Sequence, residues 1–262
     1  MLPELGRIGP VVLRTYTLLL DLAILVGLGL LALFGHFSGE KPSRWVDAGL
    51  GAIAGGIVLG RLGHVAIHWA YFSEHMVEIA QVWRGGIDWH GAVVGGLAAL
   101  AVGCRLFGLN FRAVTDALSF ILPMGAALTY SGCLMVSCGH GREVASLADY
   151  PRFLVAELPD LYGVVAPRLA SQLYGVVLSL LLIVVAGILA WRVQRQGVRF
   201  WIVLGLLGLI AFGIGFTRGD AVPPVGSLRL DQVLDLGTVA LALTGTLIAS
   251  RPLPVPPEAA LT

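Results

Sequence analysis

Seven long apolar runs, divided by charged or proline-containing stretches, constrain this chain more than any other feature of its sequence. Each run is close to the ~20 residues that an α-helix needs to cross a hydrocarbon core about 30 Å thick. The runs lie at residues 11–34, 46–72, 89–107, 113–136, 171–193, 200–216 and 230–250. The sequence therefore predicts an all-α membrane protein with about seven transmembrane helices.

Composition supports this prediction, because 57% of the residues are hydrophobic and only 13% are charged, unlike a soluble domain. We expect a single polytopic domain over residues 1–250, with an extracytoplasmic cap at residues 138–170 and a proline-rich tail at residues 251–262. A formal net charge of +1 gives no reason to expect nucleic acid as a partner. The N-terminal residues lack the pattern of a cleaved signal peptide, so the first run is expected to stay as an anchor.

The basic residues favour one orientation in the membrane. An odd number of spans puts the two chain ends on opposite sides, and basic residues beside helix ends favour the cytoplasm. With the N-terminus outside, the dense basic cluster at residues 192–199 falls in the cytoplasm. We therefore expect a multi-pass protein of the bacterial plasma (inner) membrane with its N-terminus outside and its C-terminus cytoplasmic.

Small residues are concentrated in the second and third runs, at residues 49–56 and 91–96. Small-xxx-small spacing lets helix backbones approach closely. Helix packing is therefore preferred here over a direct role in ligand binding.

Ionisable residues inside the runs indicate where the chain carries its chemistry, because a charge at the bilayer centre costs at least ~2.5 kcal/mol unless it is paired or hydrated. Arg14 and Asp21 are seven residues apart, which places them on one face of the first predicted helix. Asp116 lies early in the fourth run. Structural ion pairing and a functional role are equally good interpretations of these three residues.

A second polar group surrounds the connection between the second and third runs. Arg61, His64 and His68 share a helix face by their spacing, and the two histidines are interpreted first as hydrogen-bonding residues at the membrane interface. Arg61 is flanked by glycines that leave room for an anionic lipid phosphate, which suits its planar guanidinium. His90 follows a glycine-rich turn that brings its imidazole to the membrane surface, where it can transfer protons near neutral pH.

The three cysteines, Cys104, Cys133 and Cys138, are too few for a disulfide framework and form no zinc-type pair of CxxC motifs. They are interpreted as small buried hydrophobic residues. The sequence indicates no metal site and no cofactor.

Several segments resemble motifs of the prolipoprotein diacylglyceryl transferase family. Residues 82–91 read Val-Trp-Arg-Gly-Gly-Ile-Asp-Trp-His-Gly. This is similar to the family's Trp-x-Gly-Gly-(Met/Leu)-(Ser/Ala)-(Phe/Tyr)-His-Gly, with His90 in the place of its essential histidine. Arg14, two residues before Tyr16, resembles the family's opening segment, and residues 60–63 resemble its Gly-Arg-Ile-Gly. Further matches are Asp116 with Pro123 and Gly125, the segment Ser171-Gln172-Leu173-Tyr174, and Gln232.

The family's signature segment is altered in this chain. Residues 129–142 keep Gly132, Gly141 and Arg142, but both asparagines and the glutamate of the family pattern are missing. Tyr130 stands where the family carries a phosphate-clamping arginine.

Two further departures lie in the later spans. Gly175 replaces the glutamate that follows the family's Ser-Gln-Leu-Tyr, and Gly213 falls where the sixth span normally carries an arginine. Arg218 lies in a segment that resembles a later arginine motif of the family and is expected to take over.

The resemblance implies an enzyme that transfers a diacylglyceryl group from phosphatidylglycerol to the lipobox cysteine of a lipoprotein precursor. In that reaction a cysteine thiolate attacks the glycerol carbon that bears the phosphate, and glycerol phosphate leaves. His90 would accept the thiol proton, and phosphatidylglycerol or other membrane lipids would be bound by the remaining residues. These are Arg61, Arg14, Tyr16, Arg142, Gln172, Tyr174, Arg218 and Asp116.

Alternatives from other classes remain open at this point. A catalytically inactive relative that binds lipid or a membrane partner is favoured by Tyr130, Cys133 and Gly213. A thiol-redox protein using Cys133 and Cys138 is favoured less, because their separation is not the CxxC spacing. A small transporter is also favoured less, because the chain has no convincing internal repeat.

Overall fold

The computed structural model describes residues 3–9 and 11–251, and seven of the helices in these ranges are long and apolar enough to cross a membrane. The α-helices are α1 (Thr15–Phe37), α2 (Pro42–Ile67), α3 (Trp69–Phe72), α4 (Trp89–Phe107), α5 (Phe111–Val136), α6 (Ser171–Arg192), α7 (Val198–Gly215) and α8 (Leu230–Ala249). Only α3, with four residues, is too short to span. The prediction of an all-α membrane protein with about seven spans is confirmed.

Three antiparallel hairpins complete the described fold. They pair β1 (Glu4–Ile8) with β2 (Val11–Arg14), β3 (Val155–Pro159) with β4 (Val165–Leu169), and β5 (Pro224–Val225) with β6 (Leu228–Arg229). Residues 137–170, which contain the second hairpin, form the longest connection between spans, at the position of the predicted cap. The predicted tail falls almost wholly in residues 252–262, outside the described residues.

Consecutive spans cross in opposite directions, so their connections fall on two sides. The capped side carries residues 3–14, 68–88, 137–170 and 216–229, and therefore all three hairpins. The short-loop side carries residues 38–41, 108–110 and 193–197. The connections on the capped side are long, whereas those on the other side are tight turns. The capped side is therefore the one with enough residues outside the spans to form a site.

The first helix begins later than the sequence predicted. Residues 11–14 were expected to open the first span, but they pair with β1 as a strand, and Arg14 is the residue that precedes α1. The prediction that Arg14 and Asp21 share one helical face is therefore wrong. The second span likewise ends early, at Ile67, because His68 leaves the helical conformation (φ −108°, ψ 33°).

Helices α2 and α4 approach each other closely through glycines. A methyl group placed on Gly55 would lie 2.6 Å from the carbonyl oxygen of Gly95, and one placed on Gly91 would lie 2.5 Å from that of Leu59. Only glycine permits backbones this near to each other. The predicted small-residue packing of the second and third spans is confirmed.

Cys133 and Cys138 form a disulfide bond. Helix α5 ends at Val136, and Ser137 takes a left-handed conformation (φ 63°) that brings the Cα atoms of the two cysteines to 4.6 Å. The interpretation of this pair as buried hydrophobic residues was wrong, because a spacing rule for redox motifs does not anticipate a turn at a helix end. Cys104 is a buried free cysteine, as interpreted.

Candidate functional site

His90 lies between two carboxylates on the capped side. It is in the first turn of α4, where Asp88 is the N-cap and accepts a hydrogen bond from the Gly91 amide (2.8 Å). His90 Nδ1 is 3.0 Å from Asp88 Oδ2, and its Nε2 is 2.9 Å from Asp235 Oδ1 of α8. His90 and Asp235 are both buried. Helix capping thus fixes one carboxylate, and packing of α8 beside α4 supplies the other.

Asp88 is ionised at neutral pH. Burial raises the pKa of this carboxyl, but the hydrogen bonds from His90 and from the Gly91 amide outweigh burial, so the pKa lies below its usual range. The negative charge of Asp88 orients the imidazole through Nδ1. A histidine placed between two carboxylates forms with them a group that can bind and release protons.

Two arginines and two aspartates form a closed ion-pair ring beside the start of α8, which we call the arginine ring: Arg218, Asp220, Arg229 and Asp231. Arg218 Nε donates to Asp220 Oδ1 (2.8 Å), and Arg218 Nη1 lies 3.3 Å from Asp231 Oδ2. Arg229 Nε donates to Asp231 Oδ1 (3.0 Å), and Arg229 also pairs with Asp220 at 3.4 Å. The ring holds both guanidinium groups in place without making them inaccessible, because the Arg218 side chain is 31% exposed.

Arg218 and Asp220 lie outside the spans and are charged at neutral pH. Burial lowers the pKa of Arg218, but Asp220 and Asp231 raise it by more, so it lies above its usual range. Burial raises the pKa of Asp220, but its bonds to Arg218 and the charge of Arg229 outweigh burial and lower it. Arg218 is therefore a fixed positive charge, balanced within the ring by the carboxylate of Asp220.

Arg142 of the cap meets the segment that carries Arg218. The Arg142 amide donates to the Thr217 carbonyl (2.8 Å), and the Gly219 amide donates to the His140 carbonyl (2.8 Å). A methyl group on Gly219 would lie 2.8 Å from Arg142 Cα. Arg142 is exposed, so two arginines predicted from distant parts of the sequence come together at one edge of the cap.

Two tyrosines pack against glycines of neighbouring helices in the same region. The ring of Tyr130 covers Gly175 of α6, and the ring of Tyr16 covers Gly132 of α5. Tyr130 also lies close enough to Arg218 and Asp235 to interact with their charges. The replacements at Tyr130 and Gly175 are therefore spatially matched, since the glycine makes room for the ring.

Arg61 is buried, and its guanidinium holds a loop of the capped side. Its Nε donates to the Ile79 carbonyl (2.9 Å), one terminal nitrogen to the Gly85 (2.6 Å) and Gly86 (3.1 Å) carbonyls, and the other to the Glu78 carbonyl (2.6 Å). Four of the five N–H groups of the guanidinium are thereby used. The open space that the flanking glycines suggested is occupied by this loop, which leads directly to Asp88.

Gln172 and Tyr174 tie α6 to the cap. The Gln172 side chain donates to the Cys138 carbonyl (3.2 Å), while its buried Oε1 receives no hydrogen bond from a described residue. The Tyr174 hydroxyl donates to the Leu154 carbonyl. Both side chains therefore lie at the capped end, where hydrogen bonds to backbone carbonyls engage them.

Asp116 lies at the other end of the bundle, and its assignment to the same site is corrected. It accepts a hydrogen bond from the Gly197 amide (2.8 Å) at the start of α7 and pairs with Arg199 at 3.4 Å. Its carboxylate satisfies helix-terminal amides on the short-loop side. Arg14, by contrast, is exposed on the capped side, at the end of β2 and directly before α1.

An apolar groove between α6 and α7 approaches the site from within the membrane. It has a volume of about 520 Å³ and is lined by Leu178, Leu181, Leu206, Ile210 and Gly213, with Tyr174 and Thr217 at its capped end. Gly213 leaves the groove wall bare where an arginine was expected. Thr217 immediately precedes Arg218, so the groove ends beside the arginine ring.

Sequence analysis missed the carboxylates of this site. Asp88 lies inside the motif that identified His90, and the signal for Asp231 and Asp235 was their four-residue separation in the last run, which places two acids on one helix face. Asp220 lies two residues after Arg218 in the sequence, which was its only signal. Pairing of these acids with His90, Arg218 and Arg229 depends on contacts between distant helices, which spacing alone does not give.

Comparison with known proteins identifies the family to which this chain belongs. The family described as prolipoprotein diacylglyceryl transferase matches residues 3–248. A phosphatidylglycerol–prolipoprotein diacylglyceryl transferase of Acaryochloris marina is 31% identical over 96% of this chain and 93% of its own length. Proteins of the same description from Thermosynechococcus vestitus and Geobacillus kaustophilus are 28% and 29% identical, over 91% and 90% of this chain and 89% and 88% of their own lengths. As its motifs predicted, the chain belongs to the prolipoprotein diacylglyceryl transferase family, whose members are multi-pass membrane enzymes of lipoprotein biosynthesis.

Proposed function

We propose that this chain transfers a diacylglyceryl group from phosphatidylglycerol to the lipobox cysteine thiol of a lipoprotein precursor. The observation that carries the proposal is the meeting of a proton-binding group and fixed arginines at the capped end of the bundle. The proton-binding group is His90 with Asp88 and Asp235, and Asp235 is close enough to interact with the charge of Arg218.

The group formed by His90, Asp88 and Asp235 accepts the proton of the thiol. The attacking thiol must lose its proton, and an acceptor in hydrogen-bond reach typically contributes a factor of about 10²–10⁴ in rate. His90, bonded to a carboxylate at each ring nitrogen, holds the two acids of this group in fixed positions for the task.

The phosphate of the donor lipid is bound by arginines at the edge of the cap. Arg218 is partly exposed and held by the arginine ring, and Arg142 is exposed next to it. Guanidinium groups bind phosphate oxygens in pairs, and fixed positive charge stabilises the negative charge that develops on the departing glycerol phosphate.

The remaining predicted residues support this site from outside it. Arg61 positions the loop that carries Asp88 and His90, since most of its donors bind that loop. Tyr174 and Gln172 anchor the cap to α6. Roles for Arg14 and Tyr16 in binding the lipid head group stay predictions.

The acyl chains of the donor occupy the groove between α6 and α7. The groove is almost entirely apolar, it opens toward the region of lipid, and its capped end adjoins Thr217 and Arg218. A phosphate bound at Arg218 would therefore leave its chains along the groove, within the hydrocarbon.

The capped side faces the outside of the cell. Disulfide bonds persist in oxidising compartments and are rare in the cytosol, and the Cys133–Cys138 bond lies at the capped end of α5. The basic cluster of Arg192, Arg195 and Arg199 lies at the opposite end, as expected for the cytoplasm.

The proposal is tested with purified protein in phosphatidylglycerol vesicles supplied with a lipobox peptide. Release of glycerol phosphate, and addition of a diacylglyceryl mass to the peptide, is the expected result. His90→Asn should lower the rate by about 100-fold or more. His36→Asn, at an exposed histidine on the short-loop side, should leave it unchanged.

The outcome that would remove the proposal is an intact, folded protein that releases no glycerol phosphate while a relative of established activity does so in the same vesicles. The catalytically inactive relative remains the second candidate, because Tyr130 replaces an arginine and Gly213 leaves the groove wall uncharged. That candidate predicts that the His90→Asn variant supports cellular function as well as the wild-type protein does.

A further inference from the structure

Both ring nitrogens of His90 are engaged by carboxylates. Nδ1 lies 3.0 Å from Asp88 Oδ2 and Nε2 lies 2.9 Å from Asp235 Oδ1. A thiol that approaches this group therefore finds no unoccupied ring nitrogen. The atom that first receives its proton has to be sought among the carboxylate oxygens.

Only one of the four carboxylate oxygens in this group has no hydrogen bond from a described residue. Asp88 Oδ1 accepts from the Gly91 amide, Asp88 Oδ2 and Asp235 Oδ1 are bonded to His90, and Asp235 Oδ2 remains. Asp235 comes from α8, the helix that also carries Asp231 of the arginine ring. Its second oxygen is thus the available acceptor on the part of the group nearest the arginines.

Proton counting agrees with this position. With both hydrogen bonds formed, the three side chains hold two protons between them and carry a net charge of −1. This holds whether the imidazole is doubly protonated or one carboxyl is neutral. One further proton, on Asp235 Oδ2, makes the group neutral, which is favourable in a site shielded from water.

We propose that Asp235 is a catalytic residue of the transfer, accepting the proton of the acceptor thiol at Oδ2 while His90 holds its other oxygen. This inference rests on the proposed function and names the atom at which its first step occurs. The S–H bond breaks, its proton goes to Asp235, and its electron pair stays on sulfur.

The rest of the step then balances. The sulfur electron pair forms the S–C bond to the glycerol carbon of the donor lipid, and the C–O bond to phosphate breaks. That electron pair leaves on the phosphate oxygen of glycerol phosphate, beside Arg218. The proton on Asp235 is later released to water or to the departing phosphate, which restores the charge of −1.

Charged and titratable groups surround this acceptor from several elements. His64 of α2 faces Asp88, Tyr130 of α5 and Arg218 of the α7–α8 connection face Asp235, and Asp231 lies one turn earlier on α8. Arg218 thus brings a positive charge near Asp235, and Asp231 brings a negative one. None of these groups bonds directly to Oδ2 within the described residues.

The test is the pH dependence of kcat in phosphatidylglycerol vesicles with a lipobox peptide. Wild-type activity should fall at acid pH as Asp235 becomes protonated. Asp235→Asn should lower kcat by about 100-fold or more, and its residual activity should lose this acid limb. Asp235→Glu, which keeps a carboxylate, should retain the limb at reduced kcat.

Two comparisons separate this role from a structural one. Asp88→Asn keeps a good helix cap and should retain the acid limb, and Asp21→Asn, at an exposed carboxylate of α1, should match the wild type in every respect. Asp235→Ser, which adds no volume, replaces the asparagine variant if that variant does not fold.

An acid limb that persists unchanged in the residual activity of Asp235→Asn or Asp235→Ser would overturn the inference. So would a kcat for these variants equal to that of the wild type. In either case wild-type release of glycerol phosphate would still stand, so the proposed function is judged separately.

Discussion

At the scale of single residues, charge in this protein is fixed by neighbours rather than by solvent. In the arginine ring each of the two guanidinium groups contacts both carboxylates, so the ion pairs form a closed cycle. Such an arrangement costs desolvation and is retained only where paired geometry is good. The pairing holds the Arg218 guanidinium rigidly while leaving its side chain 31% exposed.

Asp220 makes this stabilisation dependent on pH. Its pKa lies below the usual value, so its contribution is present above the ordinary carboxyl pKa of about 4 and is lost as pH falls through its lower folded value. Asp220→Asn should therefore lower stability at pH 7 by about 1–3 kcal/mol. The difference from the wild type should narrow below about pH 4.

This is measured as the thermal unfolding midpoint in detergent across a pH series. Asp149→Asn, at an exposed carboxylate of the cap, serves as the control and should track the wild type. A gap between Asp220→Asn and wild type that stays constant from pH 7 to strongly acid pH would contradict the assignment of the stabilisation to the charged form.

Individual residues also show which positions sequence motifs can predict and which they cannot. The glycine-rich motif located His90 correctly at the capped end, because a motif carries its own local backbone. The same reasoning put Arg61 beside an open space, since the sequence cannot say that residues 76–86 fold back onto it. Asp116 was misplaced because its partners, Gly197 and Arg199, are some eighty residues away.

At the scale of elements, the α5–α6 contact is set by a tyrosine and a glycine. Tyr130 and Gly175 each depart from the family pattern, and the ring of one occupies the space left by the other. Considered singly, each departure suggested loss of function. Their contact shows that they form one packing unit between two spans.

Gly175→Ala should therefore destabilise the protein through Tyr130. A methyl group at this position overlaps the ring, and overpacking of this kind costs about 1–3 kcal/mol. Tyr130→Ala should remove the overlap, so the double variant should be more stable than the sum of the two single effects by about 0.5–3 kcal/mol. The measurement is thermal unfolding of the four proteins in one detergent.

Gly187→Ala is the matched control on the same helix, because a methyl group there meets no atom within 4 Å. It should leave stability unchanged or slightly raised, since alanine favours helix. Strictly additive effects of Gly175→Ala and Tyr130→Ala would mean that the two residues do not constrain each other.

At the scale of the whole molecule, hydropathy predicted the number of spans because each apolar run must cross the membrane by itself. It did not predict where the first span begins, since residues 11–14 are apolar enough for a helix but pair with β1. The disulfide also escaped prediction, because it depends on a left-handed turn at Ser137. The number of spans, which each run decides alone, was predicted, whereas the start of the first span, which depends on pairing with β1, was not.

Orientation is the property of the whole molecule on which the proposed reaction depends, because lipoprotein precursors present their cysteine on one side only. The disulfide on the capped side and the basic cluster on the other side both support the proposed orientation, with the cap outside. A cysteine introduced by Tyr162→Cys, at a 92% exposed position of the cap, should therefore react with a membrane-impermeant maleimide in spheroplasts. One introduced by Gln194→Cys, on the short-loop side, should react only after the membrane is permeabilised.

The native cysteines give little background, since Cys104 is buried and the other two are bonded to each other. Labelling of Gln194→Cys in intact spheroplasts, with protection of Tyr162→Cys, would reverse the assignment and leave the cap in a reducing compartment where its disulfide would not persist.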